Sequence, residues 1–316
     1  MPELIKDISV LMPAYNSGKY IAAAVKSILN QTYKNYEFII IDDGSTDDTE
    51  KIIKGLPDER IIYKRTEHKG TSAALNYGIE LCRNEWIARI DADDLNTANR
   101  FERQIQFLEE NTEIDILSSW SVYFKDPQEI LFLLKEPTGH NEIYKYLDIH
   151  NPINQSAMMF RKSILAASRF NESLDSNEDY ELLHRVRDSV RFANMPEFLV
   201  YTRLREDSRT LKGSRDNLFN MLHTDAFRKM MDSKSKGDHF YWASVIAWLN
   251  YFYGIRADSR SYFKNSVSVK NIIAYFTTFL PEKYFFKFIN SHFRYRLNSI
   301  FINKGIYKKQ LNSLLS

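Results

Sequence analysis

The feature that most limits the fold of this chain is a regular alternation of short apolar runs and amphipathic segments in its N-terminal third. The apolar runs are rich in β-branched residues and recur at roughly 25-residue spacing, as expected of βαβ units. They cover residues 8–12, 38–41 and 86–90, and a further strand with charged ends is predicted over 60–64. One helical pattern begins near Gly18, a second is predicted to be capped by Ser45 or Thr46, and a third covers residues 71–81. The alternation predicts an α/β fold with a doubly wound, mostly parallel sheet.

Beyond Asp94 the pattern loosens. It predicts helices over 99–110 and 178–188, and strands near 114–118, 129–134, 155–160 and 198–202. After Gly213 only helical patterns remain, and Lys212-Gly213-Ser214 interrupts the periodicity. We therefore predict two regions, an α/β domain over residues 1–212 and a helical C-terminal extension over residues 213–316.

Acidic clusters follow two of the predicted strands. One is Asp42-Asp43-Gly44-Ser45-Thr46-Asp47, and the other is Asp91-Ala92-Asp93-Asp94. Ligands of open α/β sheets bind just outside the carboxyl ends of the strands. A divalent metal is usually held there by one or two carboxylates together with substrate phosphates. The clusters thus indicate a metal–diphosphate site, although Asp94 could instead be the N-cap of the next helix.

A third cluster, Glu178-Asp179, opens a predicted helix much later in the chain. A carboxylate there could act as a general base. The alternative is an acidic first turn that is favoured only by the helix dipole.

These motifs occur in one order: Val10–Asn16, Asp42–Asp47, Asn76–Gly78, Asp91–Asp94, and Asn177–Leu182 followed by Arg185. As a set they resemble the family 2 glycosyltransferases, which have the GT-A fold. The resemblance extends over about residues 6–210. It implies an enzyme that inverts the anomeric centre of a sugar in one displacement.

The resemblance implies that the first two motifs bind the donor nucleotide. Pro13, Tyr15 and Asp43 would cradle the uracil and ribose of a UDP-sugar, with Asn16 beside them. Tyr15 would stack on the base, and Asp43 would accept its N3–H.

The later motifs would hold the diphosphate and the acceptor. By resemblance, Asp91 would lie near the ribose or the sugar, and Asp93 with Asp94 would bind Mn²⁺ or Mg²⁺. Asp179 would be the general base, next to Glu178 in the substrate site.

Two positions depart from the family pattern. Leu75 stands where many relatives have an Arg, so Lys69 or Arg65 would have to replace a phosphate contact. Arg205 stands where relatives often have a His; it can contact a phosphate but cannot ligate a metal.

The net charge of +2 hides a strong asymmetry. From Arg256 onward there are eleven Lys or Arg against two acids, which is +9, so the first 255 residues carry −7. A segment over 283–303 has aromatic residues at helical spacing and a basic opposite side. The tail is expected either to lie on an anionic membrane surface or to pack on the catalytic domain. Nucleic acid is not an expected partner, because the catalytic half is acidic.

The longest apolar stretch, residues 240–255, is shorter than the ~20 residues that cross a bilayer. No leader pattern precedes Ile8, and the single cysteine, Cys82, fits a reducing compartment. We therefore expect a cytoplasmic protein, peripheral on the inner face of the membrane if the tail binds lipid.

The expected function is a metal-dependent transfer of a hexose or N-acetylhexosamine from UDP to a glycan or lipid-linked glycan. Bacterial relatives of this size build capsule, O-antigen or lipooligosaccharide. Two alternatives stay open: a transferase that uses another nucleotide-sugar or a polyprenyl-phosphate acceptor, and a non-catalytic nucleotide-sugar-binding module.

Overall fold

A computed structural model describes residues 4–126, 129–148, 150–174 and 176–205, together with residues 226, 228–233, 245–246 and 304–315. The first half contains β1 (Ile8–Ala14), α1 (Ile21–Leu29), β2 (Tyr36–Asp42), α2 (Thr49–Lys54), β3 (Ile61–Arg65), α3 (Thr71–Leu81), β4 (Trp86–Arg89), β5 (Leu95–Asn96) and α4 (Arg100–Glu110). The second half contains β6 (Ile116–Lys125), β7 (Glu129–Leu134), α5 (His140–Tyr146), a 3-10 turn (Gln155–Ala157), β8 (Met159–Arg161), α6 (Lys162–Ser168), α7 (Glu178–Val186), β9 (Phe192–Arg203) and α8 (Lys304–Leu315).

The strands form one sheet in the order β3-β2-β1-β4-β8-β6-β9-β5, with β7 paired to β6. Strands β3, β2, β1 and β4 are mutually parallel, whereas β8 joins the sheet antiparallel to β4. The chain runs outward from β1 to β3 and then returns to place β4 on the other side of β1. This reversal makes the carboxyl ends of β1 and β4 the expected ligand crevice of the sheet.

Helices cover both faces of the sheet, as the alternation predicted. Side chains along β1 alternate between two cores: Val10 and Met12 pack with α1 and α4, while Leu11 packs with α3, α6 and α7. Because both faces are buried, the parallel strands read as continuous apolar runs. The predicted α/β fold is confirmed.

The motif residues of α3 hold that helix close to the sheet. A Cβ on Gly78 would lie 2.2 Å from Cδ1 of Leu11, so only glycine permits this approach of helix to strand. Asn76 donates from its Nδ2 to the carbonyl of Phe170 at 2.9 Å and accepts from the Phe170 N–H at 2.8 Å. Packing therefore explains Asn76 and Gly78 of this motif, whereas Tyr77 is exposed.

Several local predictions were wrong. Helix α2 begins at Thr49, and neither Ser45 nor Thr46 caps it; the Ser45 hydroxyl accepts the Asn16 N–H at 2.9 Å. The alternative role of Asp94 as the N-cap of the next helix is excluded, because Asn99 directly precedes α4. The sequence patterns also missed β5, α5 and α6, which are short.

Part of the basic tail packs on the catalytic region. Leu311 of α8 is buried against the core formed with β6, β7 and β9. The Tyr201 hydroxyl donates to Oε1 of Gln310 at 2.8 Å. Residues 304–315 of the tail therefore pack on the catalytic region, as one of the two predicted alternatives has it. The segment 283–303, most of the stretch 240–255 and the boundary at 212/213 lie outside the described residues. In the part of the chain that the structure covers, no helix is long and apolar enough to cross a membrane.

Candidate active site

Asp43 organises the end of the crevice next to β2. It follows β2, is buried, and accepts hydrogen bonds from the N–H groups of Lys69 and Gly70, both at 2.8 Å. Its Oδ2 also lies 2.8 Å from Nδ1 of His68. The carboxylate therefore holds the loop between β3 and α3 against the end of β2, and Gly70 adopts a left-handed φ of 94° within that loop.

Tyr15 lies directly after β1, on the same edge of the sheet, and is exposed. Its ring stacks on the His68 imidazole, with centroids 4.0 Å apart and planes 12° from parallel. Tyr15, Asp43 and His68 thus form one cluster of two stacked rings and a carboxylate at this edge of the sheet.

Pro13 lies near the end of β1, and Asn16 lies in the turn that follows this strand. Pro13 is buried in β1 opposite Ile41 of β2. Asn16 has a positive φ of 46°, and its Oδ1 accepts the Thr46 N–H at 2.8 Å. This bond ties the turn after β1 to the turn after β2. Direct contact of Pro13 or Asn16 with a ligand stays a prediction.

A buried arginine stands at the centre of the crevice. Arg89, the last residue of β4, is only 3% exposed. It donates to Oδ1 of Asp91 at 2.9 Å and to Oε1 of Gln155 at 2.7 Å. Asp91 in turn keeps 37% of its side chain exposed, and its N–H donates to the Ser156 hydroxyl at 3.1 Å. Arg89 therefore orients Asp91 while leaving it accessible to a ligand.

The other two carboxylates of this cluster contact the end of β9. Asp94 is 3% exposed, and its Oδ1 accepts the Arg203 N–H at 2.7 Å. Asp93 keeps 22% of its side chain exposed and lies 3.3 Å from Nη1 of Arg205. Asp93 and Arg205 thus face the crevice together, whereas Asp94 also anchors β9.

Asp179 reaches the same cluster from α7. Its Oδ2 accepts a hydrogen bond from Nδ2 of Asn151 at 3.0 Å, and the side chain is half-buried. Asn177, just before the helix, has a left-handed φ of 60°. Backbone strain of this kind is typical of positions that aim a functional group. Glu178, its neighbour, is buried.

Mutual repulsion and burial raise the pKa values of these carboxyl groups. Burial and the charge of Asp91 raise the pKa of Asp93. Burial, then Asp93 and Asp91, raise the pKa of Asp94 well above its usual range. Burial and Asp91 raise the pKa of Asp179, and the Arg89 guanidinium opposes this rise. The charge of Asp91 acts on the pKa of all three groups, so Asp91, Asp93, Asp94 and Asp179 lie in one cluster of carboxyl groups.

The carboxylate oxygens of this cluster fit a metal ion that is bound jointly by the protein and by a diphosphate. Within the described ranges, no three His, Cys, Asp or Glu side chains form a ready-made metal cage. Mg²⁺ and Mn²⁺ sites at diphosphates need only one or two carboxylates, because phosphate oxygens complete the coordination. Asp93 is partly exposed and acidic, so it meets that requirement better than Asp94, whose carboxylate holds Arg203.

The family departures have a structural explanation. Leu75 is buried in the core beneath α3, so this position contributes packing. Arg65 cannot easily replace a phosphate contact, since its guanidinium pairs with Glu50 and donates to the Ser45 carbonyl at 2.8 Å. Lys69 has an exposed side chain near the end of the loop that joins β3 to α3, and it remains the better candidate for a phosphate contact.

Sequence reasoning missed three residues of this site: Arg89, His68 and Asn151. Arg89 did carry a signal, because a charged residue inside the apolar run 86–90 must find buried partners. His68 and Asn151 lie in loops, and their contacts with Asp43 and Asp179 join residues 25 and 28 positions apart. No periodicity reports such contacts.

Comparison with known proteins identifies the family of this chain. The family model "Glycosyl transferase family 2" matches residues 9–167. An uncharacterized glycosyltransferase of Methanocaldococcus jannaschii is 30% identical over 78% of this chain and 86% of its own length. The O-antigen biosynthesis glycosyltransferase WbnJ of Escherichia coli is 32% identical over 64% of this chain and 81% of its own. The match spans 65% of an uncharacterized glycosyltransferase of Haemophilus influenzae and 30% of one of Rickettsia bellii.

Two solved structures have the same fold. Staphylococcus aureus TarS 1-349 in complex with UDP-GlcNAc has a TM-score of 0.61 and 19% identity, covering 90% of this chain and 81% of that one. Mannosyltransferase PcManGT from Pyrobaculum calidifontis in complex with GDP-Man and Mn²⁺ has a TM-score of 0.57 and 15% identity, covering 93% and 87%. The chain belongs to glycosyl transferase family 2 and is a glycosyltransferase of the GT-A fold.

Proposed function

We propose that this glycosyltransferase moves a sugar from a UDP-sugar to a hydroxyl of a glycan acceptor, with inversion at the anomeric carbon. The observation that carries the proposal is the half-buried carboxylate of Asp179, which lies close enough to Asp91 and Arg89 for both charges to act on its pKa. Asp179, the candidate base on α7, therefore lies close to the acidic cluster that follows β4.

In the proposed step, the acceptor hydroxyl oxygen attacks the anomeric carbon opposite the diphosphate. Asp179 takes the hydroxyl proton as the new C–O bond forms, and the bond to the diphosphate oxygen breaks with its electron pair leaving on UDP. One displacement inverts the centre. Asn151 orients the base through its hydrogen bond of 3.0 Å.

Asp93, with Asp94 beside it, is the proposed ligand set for Mn²⁺ or Mg²⁺, which would stabilise negative charge on the departing diphosphate. Arg205, 3.3 Å from Asp93, brings a permanent cation to the same place. Its guanidinium is the proposed second contact to the phosphates.

The donor and acceptor classes rest on the relatives. TarS bound to UDP-GlcNAc supports a UDP-sugar, and the GDP-Man complex of PcManGT keeps another nucleotide as the alternative. WbnJ supports a place in surface polysaccharide assembly, where a lipid-linked glycan is the acceptor. Exposed Lys308 and Lys309 on α8 support the proposal that the extension over residues 213–316 meets an anionic surface on the cytoplasmic side of the membrane.

A donor screen tests this proposal. UDP-sugars with Mn²⁺ are expected to raise the thermal unfolding temperature more than GDP- or dTDP-sugars, with a stabilisation of about 2.7 kcal/mol at a hundredfold excess over Kd. In Asp93→Ala, the part of this thermal stabilisation that depends on Mn²⁺ is expected to be lost. Better protection by GDP-sugars would reject the uracil assignment, and equal Mn²⁺ dependence in Asp93→Ala would reject the metal assignment.

The pH dependence of transfer tests the base. Asp179 must be ionised to accept a proton, so kcat/KM is expected to fall as the pH drops through its pKa. Arg89 lowers this pKa and Asp91 raises it. Arg89→Gln should raise the pKa of Asp179 and so move the acid limb of the profile of kcat/KM against pH to higher pH. Asp91→Asn should lower this pKa and move the same limb to lower pH.

The two variants serve as controls for each other, because general damage to the site would lower kcat/KM without moving the limbs in opposite directions. Limbs that stay in place in both variants would exclude Asp179 as the titrating base.

A further inference from the structure

The His68 ring makes the two contacts that are expected of the donor base. It stacks on Tyr15 at 4.0 Å, the distance at which a flat ring covers another. Its Nδ1 lies 2.8 Å from Oδ2 of Asp43, within the range of an N–H···O bond. A uracil that stacked on Tyr15 and donated its N3–H to Asp43 would use the same ring face and the same carboxylate.

Both sets of contacts cannot exist at once. The imidazole lies 12° from parallel to the Tyr15 ring and reaches Asp43 from that position, so Asp43 lies on the covered side of Tyr15. A base in contact with both residues must enter the layer that the imidazole fills. The 4.0 Å separation leaves no space for a second ring between them.

We propose that His68 fills the nucleobase position of the donor site and is displaced when the nucleotide binds, so that this residue sets the affinity for the nucleotide. The inference rests on the proposed donor, a uridine nucleotide held by Tyr15 and Asp43. It assigns His68 as a determinant of donor binding that competes with the base.

The surrounding contacts make the displacement feasible. The His68 side chain is 53% exposed, so it can rotate toward solvent without opening the core. Asp43 keeps its two backbone donors, Lys69 N–H and Gly70 N–H, after the imidazole leaves. The N3–H of a base then replaces the ring N–H one for one, and the loop stays attached to β2.

The exchange has a consequence for affinity. Each nucleotide that binds must break a ring stack and a hydrogen bond already present in the free enzyme, so part of its interaction energy is lost. An enzyme without this imidazole would have an open, pre-formed base site. Removing His68 should therefore strengthen nucleotide binding, which is the opposite of the effect of removing a residue that contacts the ligand.

Calorimetric titration of UDP with Mn²⁺ into the full chain tests this inference. His68→Ala is expected to bind UDP about threefold to tenfold more tightly than the wild type, as the loss of one competing stack implies. Asp43→Asn is the matched comparison, because it removes a proposed contact to the base and should weaken binding. The thermal unfolding temperatures of the free variants identify any change that comes from misfolding.

A second measurement does not depend on affinity. Imidazole NMR signals of His68, assigned by their absence in His68→Ala, should move on saturation with UDP, because the ring loses Tyr15 and Asp43. Unchanged signals, or UDP affinity that is equal or weaker in His68→Ala, would overturn the inference while Asp43→Asn still reports the donor site. If UDP binds none of the three proteins, the proposed donor is wrong and this inference falls with it.

Discussion

Replacing Asp179 by Asn is expected to lower kcat for sugar transfer by ~10²–10⁴-fold, the usual contribution of a positioned general base. An amide has the size of the carboxyl group and can still accept the Asn151 hydrogen bond, but it cannot take the acceptor proton. UDP affinity should stay close to that of the wild type, since Asp179 lies on α7 and the proposed base contacts lie after β1 and β2. Initial rates and UDP titration of the same preparation measure the two effects.

Asp188→Asn is the matched control. Asp188 is an exposed carboxylate shortly after α7 that accepts the Tyr144 hydroxyl at 2.6 Å, so the same chemical change there should leave kcat unaffected. Full activity in Asp179→Asn would show that another group removes the proton. Nucleotide binding without transfer in the wild type, for every donor and acceptor pair, would instead favour the non-catalytic module.

The sequence was most informative where local pattern and burial agree. Strands β1, β2 and β4 are buried between two layers of helices, so each had to be a short apolar run, and all four parallel strands were found within a few residues. Helix α3 begins and ends at the predicted residues 71 and 81. The carboxylates that follow β2 and β4 then meet because parallel strands end on one edge. Fold and candidate crevice were therefore predictable together.

The rest depended on contacts that no local pattern encodes. Strand β9 runs from Phe192 to Arg203, much longer than the predicted 198–202, because residues 192–195 also pair with β6. Asn194 shows the cause: its Nδ2 donates to the carbonyls of Pro137 and Pro152. A buried amide looks like a loop residue in sequence, and only tertiary structure supplies its partners.

The same limit applies to Arg203, which links the cluster after β4 to the end of β9. Its Nε donates to the Asp93 carbonyl at 2.9 Å, and its guanidinium pairs with Asp126 and lies 4.6 Å from the Tyr20 ring centroid. In the sequence alone, Arg203 and Arg205 are two basic residues near the end of a predicted strand, and nothing distinguishes Arg203. In the fold it is a buried cation that fixes the carboxylates expected to face the diphosphate.

The second large effect is expected on stability, from Arg100→Ala. Arg100 is fully buried, and burial lowers its pKa to about 9, so it remains charged at neutral pH. Its guanidinium donates to Asn96, to Oε1 of Gln104 at 2.9 Å, and to the carbonyls of Ser156 and Met158 at 2.6 and 3.1 Å. Alanine would leave these acceptors without a donor beside a cavity, which should reduce the free energy of unfolding by on the order of 3–5 kcal/mol.

Arg103→Ala on the same helix separates this effect from the loss of any arginine. Arg103 makes two hydrogen bonds to Glu197, at 2.6 and 3.1 Å, but the two side chains are 40% and 33% exposed. A surface pair of this kind contributes ~0–1 kcal/mol, so urea denaturation should resolve the two variants clearly. Equal urea midpoints for the two variants would show that water replaces the hydrogen-bond donors that are lost with Arg100. A more stable Arg100→Ala would show that burying the cation costs more than its hydrogen bonds return. In that case Arg100 would be retained for positioning the Ser156 turn beneath Asp91, and the loss would appear in kcat/KM instead of in the unfolding curve.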